Sequence, residues 1–179
     1  MTSTSESTPG GVQGQVSTGQ QTLVSLPSMG SALSVLPAGA FDNLLLLSPN
    51  APEAVEADLR DRGLDVRTVG LVPISGSRHD YDGPLWTTRT VAPSDLTGVS
   101  IYFSQAVEHL RAHTGWVLFE NLNVLLMYAD EDSVFRLVDH LLSTVRDREV
   151  TAAFTVVRDA IDDRTYAKLQ NRFDVTVTP

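Results

Sequence analysis

Gly115-Trp116-Val117-Leu118-Phe119-Glu120-Asn121 opens the stretch 115–128 whose reading decides the fold. Trp116 to Phe119 is a short run with no polar residue, and it stops at a carboxylate and an amide. An apolar run of this length between turn-forming residues reads as a strand buried on both faces. Such strands belong to parallel sheets covered by helices, and the chemistry of those folds gathers at the carboxyl ends of the strands. Glu120 and Asn121 stand at that end.

Working outward, Leu44–Leu47 is a second run of the same kind. A helix follows from about Pro52, with proline in its first turn, Glu53 and Glu56 near its positive end and Gly63 as its stop. Strands are expected within Val66–Ile74 and over Trp86–Val91. Ser94 or Asp95 caps a helix to about His113, and Leu122–Tyr128 forms a short helix or turn. The stretch from Asp130 carries Val134, Leu137, Val138, Leu141, Leu142 and Val145 on one helical face. A strand at Val150–Val157, a helix opened by Asp162 and a strand at Phe173–Thr178 complete the order. Alternation of this kind predicts an α/β layered fold with a mostly parallel sheet.

The N-terminal part reads differently. Residues 1–20 are rich in Ser, Thr, Gly and Gln, a composition expected to form a disordered tail. In residues 21–42 apolar positions are interrupted by Pro27, Gly30 and Pro37, so the segment is expected to be a linker or a docking element. The domain itself is expected over 43–179.

Composition excludes several classes of function. The net charge of −9 disfavours a nucleic-acid partner. The apolar runs are far shorter than a bilayer span, so no membrane is expected and a cytoplasmic location is the default. Without cysteine there is neither a disulfide framework nor a thiolate metal site. Only Lys168 among the 13 basic residues is a lysine. An acidic chain dominated by arginine fits either a salt-loving organism or a GC-rich genome.

Three segments carry a resemblance: Asp95-Leu-Thr-Gly98, Glu120-Asn-Leu-Asn-Val-Leu-Leu-Met-Tyr128 and the helix from Asp132. Together they resemble an uncharacterised haloarchaeal family of degenerate RecA/KaiC-like P-loop domains. The resemblance implies a three-layer RecA-like P-loop NTPase fold from which the Walker A loop has been lost. It makes Glu120, with Asn121 beside it, a candidate relic of the Walker B carboxylate that handles magnesium. It also places the degenerate phosphate loop at Ser48, Pro49, Asn50, Ala51 and Pro52, after the Leu44–Leu47 strand. That loop has no glycine to wrap phosphates, no lysine for their charge, and two prolines that remove amide donors. Conventional ATP hydrolysis is therefore not expected, and the plainer reading of Glu120 is a strand-end residue bonding a nearby turn.

The remaining candidates are weaker. His79, Asp80, Tyr81 and Asp82 form the densest polar cluster in a loop, suited to a ligand or partner, or simply to solvent. His109 and His113 lie four apart on the expected helix but lack a third ligand, so no metal site is expected. Trp86, Tyr102, Phe103 and Tyr128 read as core or core-edge aromatics. The expected function is a non-catalytic, pseudo-ATPase interaction or regulatory module with protein partners, a homo-oligomer among them, and no cofactor. The alternative is a divergent nucleotide-binding enzyme using Glu120 with a remodelled phosphate site, and a third reading is a small-ligand sensor.

Overall fold

The computed structural model describes residues 16–28 and 30–179. Its seven strands are β1 (Gln21–Leu26), β2 (Leu44–Ser48), β3 (Val69–Pro73), β4 (Trp86–Thr87), β5 (Trp116–Phe119), β6 (Thr151–Val157) and β7 (Val175–Val177). They form one sheet in the order β4-β3-β2-β5-β6-β1-β7, and every pairing is parallel. The helices are α1 (Pro52–Asp61), α2 (Leu96–Ala106), α3 (Asn123–Tyr128), α4 (Glu131–Asp147) and α5 (Asp163–Gln170). The chain is thus a layered α/β fold with a wholly parallel sheet.

A parallel sheet needs cover on both faces, because its strands are apolar on both. One face, with Leu47, Val72, Phe119 and Phe154, packs against α2, α4 and α5. The other, with Leu46, Leu71, Leu118 and Ala153, packs against α1 and against Leu33, Val35, Leu36 and Phe41. The connections divide by direction. Those from β1 to β2 and from β2 to β3 move toward the β4 edge and lie on the second face. Those through α2, α4 and α5 move toward the β7 edge and lie on the first. A single crossover hand requires this segregation.

Residues 21–42 correct the sequence reading. They are neither a linker nor a docking element. Gln21–Leu26 is a fully buried strand paired with β6 along its whole length and with β7 on its other side. The two 3-10 turns that follow, Leu33–Val35 and Ala38–Asp42, bring Leu33, Val35, Ala40 and Phe41 into the core. Pro27, Gly30 and Pro37 do forbid a long element, but a six-residue strand ends before the first of them, and a covering layer does not have to be a long helix. The domain therefore begins before Asn43. The expectation of a disordered tail falls, for residues 1–15, outside the described residues; Val16 is buried in the second core cluster.

The helices end as local chemistry dictates. Asp95, Asp130 and Asp162 each accept from a backbone N–H three residues on, at 2.9, 2.9 and 2.8 Å. Gly63 leaves α1 with φ +71°, in the left-handed region that stops helices. The helix expected to reach His113 instead ends at Ala106 and continues as a 3-10 turn to His109.

Leu23, on β1, is fully buried against the α4 side of the sheet. Leu23→Ala should cost about 2–5 kcal/mol in urea denaturation, the range for a core leucine. A loss below about 0.5 kcal/mol, typical of an exposed site, would take β1 out of the core.

Candidate functional site

The site is set by where the sheet changes direction. β2 leads toward β3 and one edge, whereas its neighbour β5 leads toward β6 and the other. The loops leaving their carboxyl ends must therefore diverge, and the crevice between them is where open parallel sheets receive ligands. Register holds the two ends level: Leu47 pairs with Phe119, and the Glu120 N–H donates to the Leu47 carbonyl at 2.8 Å.

Glu120 spans this crevice. The Ser48 hydroxyl donates to its Oε2 at 2.7 Å and Asn50 Nδ2 donates to its Oε1 at 3.2 Å. Ser48 Oγ also accepts from the Asn50 N–H at 3.1 Å, which closes the turn on itself. Burial is the main influence on this carboxyl and pushes it above the ordinary carboxylate range. The bonds from Ser48 and Asn50 pull the other way without cancelling it, and the Asp58 carboxylate adds to the rise.

The rest of the Ser48–Pro52 stretch works as a strand-to-helix turn. Ala51 accepts from the Ala54 and Val55 amides as it leads into α1, and Pro52 is buried at the first turn of that helix. Pro49 lines an adjoining hollow of about 380 Å³ with Ile74, Pro93, Val124 and Tyr128. Asn121 takes the left-handed conformation, φ +64°, and its N–H donates to Thr155 Oγ1 at 2.8 Å. Its side-chain oxygen is buried without a protein partner. Asn123 exchanges two hydrogen bonds with the Val157 backbone, at 3.1 and 2.8 Å, so it fixes α3 to β6.

The loop cluster stands apart. Tyr81 donates to Glu56 Oε1 at 2.5 Å, accepts from the Leu85 N–H at 3.0 Å, and packs on the α1 side of the core. Its hydroxyl, with help from Arg60, holds the Glu56 carboxyl below the ordinary range, while burial pushes the Tyr81 hydroxyl up. His79 is half-buried, and Asp80 and Asp82 are exposed. Among the described residues no hydrogen bond joins this cluster to Glu120.

His109 and His113 do not share a helix face. His109 lies against Trp86, with ring centroids 5.1 Å apart, while His113 has φ +69° and its ring faces Glu149 at 3.4 Å. The described residues contain no group of three or more His, Cys, Asp or Glu side chains placed to hold a metal ion. The aromatic reading also needs correction: Phe103 is core, but Trp86 and Tyr128 are 45% and 60% exposed. Sequence reasoning missed Thr155 and Tyr81 as anchors, because each partner lies 25 or more positions away and nothing in the local pattern marks the pairing.

Two solved structures resemble this fold. The protein PH0250 from Pyrococcus horikoshii OT3 superposes with a TM-score of 0.61 at 12% identity, covering 90% of this chain and 82% of that one. Uncharacterized protein PH0321 from Pyrococcus horikoshii, crystallised in complex with an unknown peptide, gives 0.59 at 12% identity and covers 91% and 78%. At this identity the likeness is one of fold. No curated protein matches the chain. A family model matches residues 13–179, a span that includes β1. The chain belongs to the family of unknown function DUF7504.

Proposed function

We propose that this chain is a non-catalytic, RecA-like pseudo-ATPase domain that acts as a protein-interaction or regulatory module. The observation that carries the reading is the engagement of Glu120. Both oxygens of the carboxylate that would handle magnesium in an active relative already accept from Ser48 and Asn50. Burial also favours its neutral form, which binds metal poorly. The distribution of lysine supports the same view. Lys168, the one lysine, lies on α5 and pairs with Glu131 at 2.9 Å, so no strand-exit loop carries a lysine for a triphosphate.

Surface chemistry supports an interaction role. Met127 and Tyr128, at the end of α3, are 74% and 60% exposed beside the strand-end hollow. Large apolar side chains left in water next to a concavity suit a protein partner. The peptide found with the Pyrococcus protein PH0321 gives a precedent on a similar fold. The acidic, arginine-rich composition fits a haloarchaeal origin. No helix among the described residues is long and apolar enough to cross a membrane.

Calorimetric titration with Mg-ATP and Mg-GTP in multimolar KCl, with an active RecA-like domain as control, should give no saturable heat. Saturable binding would replace this reading with that of a divergent nucleotide-binding enzyme using Glu120. A second test concerns pH. Folding raises the Glu120 carboxyl above 4.5. Its contribution to stability is therefore full below that value and is lost as pH rises through the folded-state value. Glu120→Gln cannot ionise and escapes the loss. The unfolding free energy of the variant should gain on that of the native chain from pH 4.5 upward, and a constant difference would refute the buried carboxylate.

A further inference from the structure

The strand-end hollow does not stop at Tyr128. Its walls Ser94 and Tyr128 are shared with a trough of about 700 Å³ that runs between α2 and α4, past Thr97, Ser133, Arg136 and His140. Hollow and trough form one groove whose chemistry changes along its length. Around the hollow stand Pro49, Ile74, Pro93 and Val124, and none of the described residues that line it is charged. The trough is walled by hydroxyls and by two basic side chains on α4. Tyr128 is exposed at the junction, with the exposed Met127 beside it in sequence.

The charge that the trough offers depends on which of its groups are already used. Asp95 and Asp130 border it, but each caps its own helix, accepting from the Gly98 and Ser133 N–H groups at 2.9 Å. The Ser133 amide and hydroxyl hold the Asp130 carboxyl below the ordinary range, with a smaller pull from Arg136. Further round α4, Glu131 pairs with Lys168 and Asp139 with Arg172, both at 2.9 Å. Arg136 donates to Ser133 Oγ at 3.0 Å and forms no ion pair among the described residues. A guanidinium fork is built for a carboxylate, and a single hydroxyl leaves most of that capacity unmet. His140 lies one turn further along the same wall. In a chain of net charge −9, a groove whose unpaired charge is basic stands out.

The helix sets the spacing between the two halves. From the cap of α4 at Asp130, just after Tyr128, to Arg136 the axial rise is about 9 Å. An extended chain covers that distance in about three residues. We propose that the groove receives an extended segment of a partner protein, with an apolar side chain in the hollow and an Asp or Glu about three residues away on Arg136. The inference rests on the interaction role argued above, to which it gives a surface and a partner chemistry. Charge complementarity selects the occupant: an apolar anchor supplies affinity, while the acid fixes register and rejects basic segments.

Selection of a phage-displayed library of random dodecapeptides on the full chain tests it, at the lowest KCl concentration that keeps the chain folded. The enriched peptides should share a large apolar residue and an Asp or Glu about three positions from it. Selection on Arg136→Glu should enrich Lys or Arg at that position instead. A synthetic peptide of the first consensus should bind Arg136→Glu roughly tenfold or more weakly, the loss expected for one charge-assisted hydrogen bond. Tyr128→Ser, at the wall of the hollow, should weaken the same peptide. Both side chains are exposed, so both variants should keep the native melting temperature. No enrichment, or a consensus that Arg136→Glu leaves unchanged, would overturn the proposal. So would a concentration-dependent dimer in sedimentation that Tyr128→Ser abolishes, since a second copy would then fill the groove. The nucleotide titration decides the pseudo-ATPase reading separately, and a chain that binds neither nucleotide nor peptide loses this groove assignment alone.

Discussion

A wholly parallel sheet has no face that water can share, and this constraint governs the rest of the molecule. Each strand must be apolar on both sides, and each side needs its own covering layer. With α2, α4 and α5 committed to one face, α1 alone is too short to cover the other. The turns between β1 and β2 supply the missing cover through Leu33, Val35, Leu36, Ala40 and Phe41. β1 itself separates β6 from β7, so the first described element of the chain completes the sheet near its last. The fold is closed across nearly its whole length in sequence, which ties its stability to a segment that looks dispensable.

The same topology decides where polar groups can gather. Because β2 and β5 are neighbours that lead to opposite edges, their exits leave a gap that no crossover fills. A carboxylate placed there by the register of β5 must find donors or remain protonated. Ser48 and Asn50 are the donors, brought within reach because β2 runs level with β5. Their bonds and the desolvation of the site act in opposite directions on Glu120, and desolvation is the stronger. The turn that leaves β2 is thereby drawn onto the strand beside it.

Most of this fold was legible because its strongest signals are local. The run at Trp116–Phe119, the helical stripe from Val134 to Val145 and the caps at Asp95, Asp130 and Asp162 all lie where periodicity and capping place them. β1 was not legible, since Gln21, Thr22 and Ser25 give it a half-polar look although all three are buried. Its apolar residues satisfy the core while its polar ones sit among neighbouring strands and loops, a division visible only in the folded state. At the site, Glu120 could be singled out by its position at a strand end. Its partners could not, because Ser48 and Asn50 precede it by some seventy positions. The exposure of the Trp86 and Tyr128 rings was not legible for a related reason: aromatic character predicts burial on average and says nothing of which ring the fold leaves at its surface.

Both ends of the sheet leave a buried side-chain oxygen without a protein donor close to left-handed backbone. At the carboxyl end, Glu120 has both oxygens engaged by its own chain, while Asn121 beside it, at φ +64°, leaves its side-chain oxygen without a protein partner. At the amino end, Gln21 keeps one bond to Val150 and leaves its oxygen without a donor, beside two residues in left-handed backbone. A ligand gains most where the protein has unmet hydrogen-bonding capacity and charges that are only loosely paired. By that criterion a carboxylate bound to its own turn is a poor receptor, even though it occupies the position where open α/β sheets ordinarily act. A fold does not fix where its sites lie, because sites follow from unsatisfied chemistry and not from architecture alone.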